Sequence, residues 1–187
     1  QILRSTLNEN YMNHKSINTD YDRLEVHFQK INDLRHVSAI AGWDEASMMP
    51  TGGGEARAQA MSTLDVMIHQ LVTEPKVGEW IDGAKAGSSL DDWQAANLRE
   101  IDRTWREATC MPEDLVAANS IARSKCEQAW RLHRGNNDWK AMEPLLAEVV
   151  SLTREEASCR SESTGLGLYD AMLNLYEPDV TSEQRSE

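Results

Sequence analysis

The 187-residue sequence has no apolar run approaching the roughly 20 residues that a bilayer crossing needs; its longest, Leu145 to Val150, is interrupted by Glu148. A membrane span is therefore excluded. Basic clusters are missing too: 19 Lys and Arg stand against 31 Asp and Glu, a formal net charge of −12. Phosphate backbones are held by clustered cations, so a nucleic-acid partner is not expected. Cysteine is scarce, and Cys110, Cys126 and Cys159 are odd in number and far apart. That usage fits a reducing, cytoplasmic setting rather than a disulfide framework. With 40% hydrophobic and 27% charged residues and only five prolines, the chain is neither collagen-like nor disordered in composition. Residues 1–19 are polar, without the apolar core or cleavage site of a secretory signal, and read as a disordered leader. No repeat and no Gly/Pro/Ser-rich linker divides residues 20–187, which read as a single helical domain.

Signatures of catalysis are equally sparse. A zinc-peptidase helix needs two His four residues apart with a Glu between them, and none of His14, His27, His36, His69 and His133 is so placed. The run Gly52-Gly53-Gly54 lacks the Lys-Ser or Lys-Thr of a phosphate loop, and no serine nucleophile elbow occurs. Adjacent carboxylates such as Asp91-Asp92 and Glu155-Glu156 point about 100° apart on a helix and read as solvated faces. No catalytic or metal-binding residue is assigned.

What the sequence has in abundance is helical periodicity, and the expected class is all-α. A first helix is expected from Tyr21 to Ala41, capped by Thr19 or Asp20, with Leu24, Phe28, Ile31, Leu34 and Val37 on one face. Others follow from Glu55 to Val72, from Pro75 to just before Gly87, and from the acidic start Asp91-Asp92 to Ala108. A fifth begins at Pro112 and runs to Arg134 with Leu115, Asn119, Ala122 and Cys126 on one face; a sixth spans Pro144 to Ser163 and a seventh Tyr169 to Tyr176. Thr181-Ser182-Glu183-Gln184 matches a capping box with only three residues behind it, as where a further helix begins.

One segment departs from a plain helical hairpin. Between the first two helices, Gly42 to Arg57 holds Trp43, Met48, Met49, Pro50 and three successive glycines. The glycines permit left-handed angles and close approach of another chain, while the Trp and Met side chains suit an apolar surface. Arg57, in the first turn of the second helix, opposes the helix dipole unless Asp44 or Glu55 pairs with it. Two readings stay open: a packed loop held by an ion pair, or a lining element of a groove, with Trp43, Asp44, Met49 and Arg57 on the substrate side.

The sequence Trp43-Asp44, Met49-Pro50, Gly52-Gly53 and Glu55-Ala56-Arg57 resembles the N-terminal motif of the carboxypeptidase Taq family of metallocarboxypeptidases. Further agreement lies in Asp91-Asp92-Trp93-Gln94, Pro112-Glu113-Asp114-Leu115, Cys126-Glu127-Gln128-Ala129-Trp130, Asn137-Asp138-Trp139 and Leu175-Tyr176-Glu177-Pro178. The resemblance implies the N-terminal part of a larger all-α peptidase with a deep groove, often homodimeric. It implies stepwise, broadly specific removal of C-terminal residues from peptides by metal-assisted hydrolysis. Zinc, replaceable by cobalt, would be held by a His-Glu-x-x-His helix and a later Glu in the C-terminal catalytic part of the same chain. This portion alone would be inactive and bind no metal. An acidic wall repels a substrate's terminal carboxylate, which makes Arg57 a candidate partner for it. The alternative is a stand-alone helical interaction module that has lost the catalytic half.

Overall fold

A computed structural model describes residues 19–50, 52–87 and 90–184; the expected leader lies, apart from Thr19, outside the described residues. Among these residues the architecture is all-α, as expected. It comprises α1 (Asp20–Ser47), α2 (Gly54–Val72), α3 (Pro75–Ala86), α4 (Asp92–Thr109), α5 (Glu113–His133), a 3-10 turn (Arg134–Asn136), α6 (Trp139–Thr164) and α7 (Leu168–Leu173).

Local chemistry sets most of the starts. Thr19 caps α1: its hydroxyl accepts from the Asp22 N–H at 3.1 Å, and the Asp22 carboxylate accepts from the Thr19 N–H at 3.2 Å. Asp91 and Gln94 repeat the exchange at α4, at 2.8 and 3.0 Å. Pro75 sits at the start of α3, where its missing N–H costs nothing.

The seventh helix ends at Leu173, short of the expected Tyr176, and two other boundaries differ more. Helix α1 passes straight through Gly42 to Ser47, because one glycine costs only about 1 kcal/mol and Trp43 to Ser47 offer no further obstacle before Pro50. Helix α6 begins at Trp139 rather than Pro144, because Asp138 caps it by accepting from the Ala141 N–H at 3.2 Å. Pro144 is carried inside the helix at the loss of one ladder bond. The expected capping box near the end is half formed, with the Thr181 N–H donating to Gln184 Oε1 at 3.0 Å.

The main core gathers the first half of α1 (Tyr21, Leu24, Phe28, Ile31), Val72 at the end of α2, Val77, Ile81 and Ala84 of α3, and Leu98 and Ile101 of α4. Leu24, Ile31 and Val77 are fully buried, each contributing about 1.5–3 kcal/mol by leaving water. His27 lies in this core and its Nε2 is 2.8 Å from the Leu71 carbonyl, tying α1 to the α2–α3 junction. Beyond Ile31, α1 buries no residue and extends along α2 towards α5, carrying the Trp43 segment outward. Helix α2 packs on α5, and α5 on α6. Among the described residues no helix is long and apolar enough to cross a membrane.

Candidate functional site

The α1–α2 junction is assembled from residues far apart in the chain. Arg57 leaves the first turn of α2 and reaches back to α1, where Nη2 meets Asp44 Oδ2 at 2.5 Å and Nη1 donates to the Ala41 carbonyl at 2.6 Å. Of the two carboxylates expected to compensate Arg57, Asp44 does so. Both side chains keep partial exposure, 26% for Arg57 and 37% for Asp44.

The open carbonyls at the end of α1 are served by arginines from other helices, since its own last turn has no basic residue. Arg57 takes Ala41, and Arg131 of α5 donates to Ala46 while pairing with Glu127 at 2.5 Å. Glu45 adds a second tie: Oε1 accepts from Ser124 Oγ and, at 2.9 Å, from Gln128 Nε2.

That arrangement accounts for the glycine run. Gly52 has φ of +101°, the left-handed region that other residues rarely enter. At Gly54 a Cβ would stand 1.6 Å from Gln128 Oε1, so the α5 amide lies directly over the start of α2. The close approach expected of this run is therefore made by the same chain, through Gln128. Met48 and Met49 N–H both donate to the Asp44 carbonyl at 2.8 Å, which folds the chain back beneath Pro50. Met49 is half-buried, with Cγ 3.0 Å from where a Cβ on Gly53 would sit, whereas Trp43 and Met48 are 63% and 66% exposed. Asp44 and Arg57 thus form one pair, while Trp43 projects from the junction into solvent.

Behind this junction a groove of about 510 Å³ opens between α1, α2, α4, α5 and α6. Arg35 and Glu45 of α1, Asp65 and His69 of α2, Asn119 and Arg123 of α5, and Glu156 of α6 line it. Burial pushes the His69 imidazole below its ordinary value, against a weaker opposing pull from Glu113. The Cys110 thiol, at the end of α4, is pushed up, chiefly by burial. Among the described residues, no three or more His, Cys, Asp or Glu are grouped to hold a metal ion.

Glu45, Ser124, Gln128 and Arg131 were not singled out from sequence. Their partners lie 74 to 85 positions away, and nothing local marks such pairs. Asn119 did leave a trace, as a polar residue on the apolar face of the fifth helix.

Comparison with known proteins follows the same lines. Residues 23–187 match the family model described as Carboxypeptidase Taq (M32) metallopeptidase. The chain is 32% identical over 161 residues to Thermostable carboxypeptidase 1 of Thermus thermophilus, covering 81% of this chain and 32% of that protein. It is 28% identical over 150 residues to Thermostable carboxypeptidase 1 of Pyrococcus furiosus, covering 80% and 30%. Among solved structures, Trypanosoma cruzi metallocarboxypeptidase 1 superposes with a TM-score of 0.73 at 34% identity, covering 89% of this chain and 34% of that one. The chain spans about a third of the length of the relatives it matches.

Proposed function

Because the chain belongs to the carboxypeptidase Taq (M32) metallopeptidase family, we propose that it is the N-terminal wall of a longer metal-dependent carboxypeptidase. That protein would release C-terminal residues from peptides with broad specificity. The observation that carries this reading is a family match over residues 23–187, against relatives about three times as long. In this reading the zinc or cobalt and the catalytic groups would be held by the catalytic part of the same chain. What these residues supply is shape. Helices α1, α2 and α5, locked by the Arg57–Asp44 and Glu45–Ser124–Gln128 ties, form a rigid edge that restricts access to extended peptides and helps exclude water.

Trp43, Asp44, Met49 and Arg57 are the substrate-side candidates in this reading. Trp43 offers an exposed aromatic face to a peptide, and Arg57 meets a substrate carboxylate only by sharing or leaving Asp44. Cytoplasmic location and pairing with a second copy belong to the same proposal. The deciding experiment is to read the gene beyond Glu187. An open frame continuing to a His-Glu-x-x-His motif supports the peptidase, and a stop codon there leaves a stand-alone interaction module.

A further inference from the structure

Helix α1 changes surface character halfway along its length. From Arg23 to Arg35 its outer positions are those of a solvated helix: of eight exposed residues five, Arg23, Glu25, Lys30, Asp33 and Arg35, are charged. From His36 to Ser47 seven positions are exposed, and none is Asp, Glu, Lys or Arg. Val37 and Ile40, each 54% exposed, stand about one turn apart. Ala39, Trp43 and Ala46 flank them, and His36 and Ser47 are the only polar side chains. In a chain with 27% charged residues and a net charge of −12, such a contiguous apolar stretch is poorly suited to water.

The opposite side of this half-helix is already engaged. Leu34, Ser38 and Ala41 are half-buried, and Asp44 and Glu45 hold Arg57 of α2 and Gln128 of α5. A helix tied down on one side and uncharged on the other belongs between two layers of protein. Among the described residues no element supplies the second layer. Size decides what does. Residues 36–47 span roughly 18 Å at 1.5 Å per residue, and one side of a helix that long offers on the order of a few hundred Å². A stable association of two proteins buries about 800 Å² on each, so this face alone is too small to hold a second copy. It is the right size for one further element packed within a single molecule. The relatives have such material: the matched region is only 32% and 30% of the Thermus thermophilus and Pyrococcus furiosus carboxypeptidases.

We propose that the face of α1 centred on Val37 and Ile40 is where the catalytic part of the same chain docks, through an apolar element of its own. Trp43 then stands at the border of the contact, where a peptide still reaches it. The inference rests on the peptidase reading for the existence of that part and adds the surface on which it sits.

The test uses the full-length protein carrying Ile40→p-benzoylphenylalanine, which on irradiation cross-links to whatever covers it, followed by peptide mapping in a mass spectrometer. The expected product joins position 40 to a residue beyond Glu187 of the same molecule. Val26→p-benzoylphenylalanine, on the charged half of α1, should give no such product. A link between two copies, a link to residues 1–18, or no link from position 40 overturns the proposal, as does equal linking from position 26. A bulky side chain beneath a covering layer can disturb folding, so hydroxyl-radical footprinting of the wild-type full-length protein gives a second reading. Oxidation should be lost at Val37 and Ile40 and retained at Val26, at every protein concentration. Ready oxidation at Val37 and Ile40, or protection that vanishes on dilution, overturns the proposal. Peptide hydrolysis by the metal-loaded wild type is read separately. An intramolecular link without hydrolysis leaves the docking face standing and removes the peptidase reading, and hydrolysis without that link does the reverse.

Discussion

Replacing Gly54 with alanine tests the packing at the α1–α2 junction, because the new Cβ would collide with a single side chain. All three atoms nearest to it belong to Gln128, with Oε1 at 1.6 Å, so Gln128 must swing aside. Doing so breaks its 2.9 Å bond to the Glu45 carboxylate. A bond to a charged acceptor contributes about 1.5–3 kcal/mol, and partial exposure puts this one at the low end. Alanine returns about 0.5–1 kcal/mol in helix propensity. The net loss is about 1 kcal/mol, a drop of roughly 2–4 °C in the unfolding temperature for a chain of this size. Gln128→Ala removes the obstacle, so in that background Gly54→Ala should be neutral or slightly stabilising. Thermal unfolding of the wild type, both single variants and the double variant gives the coupling directly. If Gly54→Ala costs the same with and without Gln128, the close approach is not what requires glycine there.

Other consequences are open to measurement. Arg57→Ala should lower stability by about 1 kcal/mol in denaturant unfolding, since a partly exposed ion pair and one carbonyl bond are lost together; in the full-length protein, an unchanged kcat/KM on a peptide would remove Arg57 from the substrate side. Leu24→Ala, at a site with no exposure, should cost about 2–5 kcal/mol, and a loss under 1 kcal/mol would mean that α1 is not seated in the core as described. His69 has a folded value below its ordinary one of about 6.5, so as pH falls below that point the unfolded chain takes a proton first and stability declines. His69→Gln should flatten the fall in unfolding temperature below pH ~6.5, and an unaltered slope refutes the assignment. Cys110, with its thiol pushed up by burial, should react with iodoacetamide at pH 8 more slowly than free cysteine, as followed by mass spectrometry.

Helices were legible because burial repeats with the helical period, and caps such as Thr19 and Asp91 are local chemistry. Boundaries were less so. Gly42 and Pro144 look like stops, yet neighbouring residues on either side favour the helix enough to carry one weak position each. The glycine run announced a close approach but not its partner, because Gln128 lies 74 residues from Gly54 and helix pairing is set by tertiary packing. The Asp44–Arg57 pair was legible from the dipole argument alone, thirteen residues apart across one loop.

In the proposed reading these residues form the non-catalytic wall of a metal-dependent carboxypeptidase. Release of the C-terminal alanine from N-acetyl-trialanine tests it, measured with zinc supplied to the full-length protein, to the same protein with chelator, and to residues 1–187 alone. Release only by the metal-supplied full-length protein is the predicted result. Release by residues 1–187, or none by the metal-supplied full-length protein, would contradict the account.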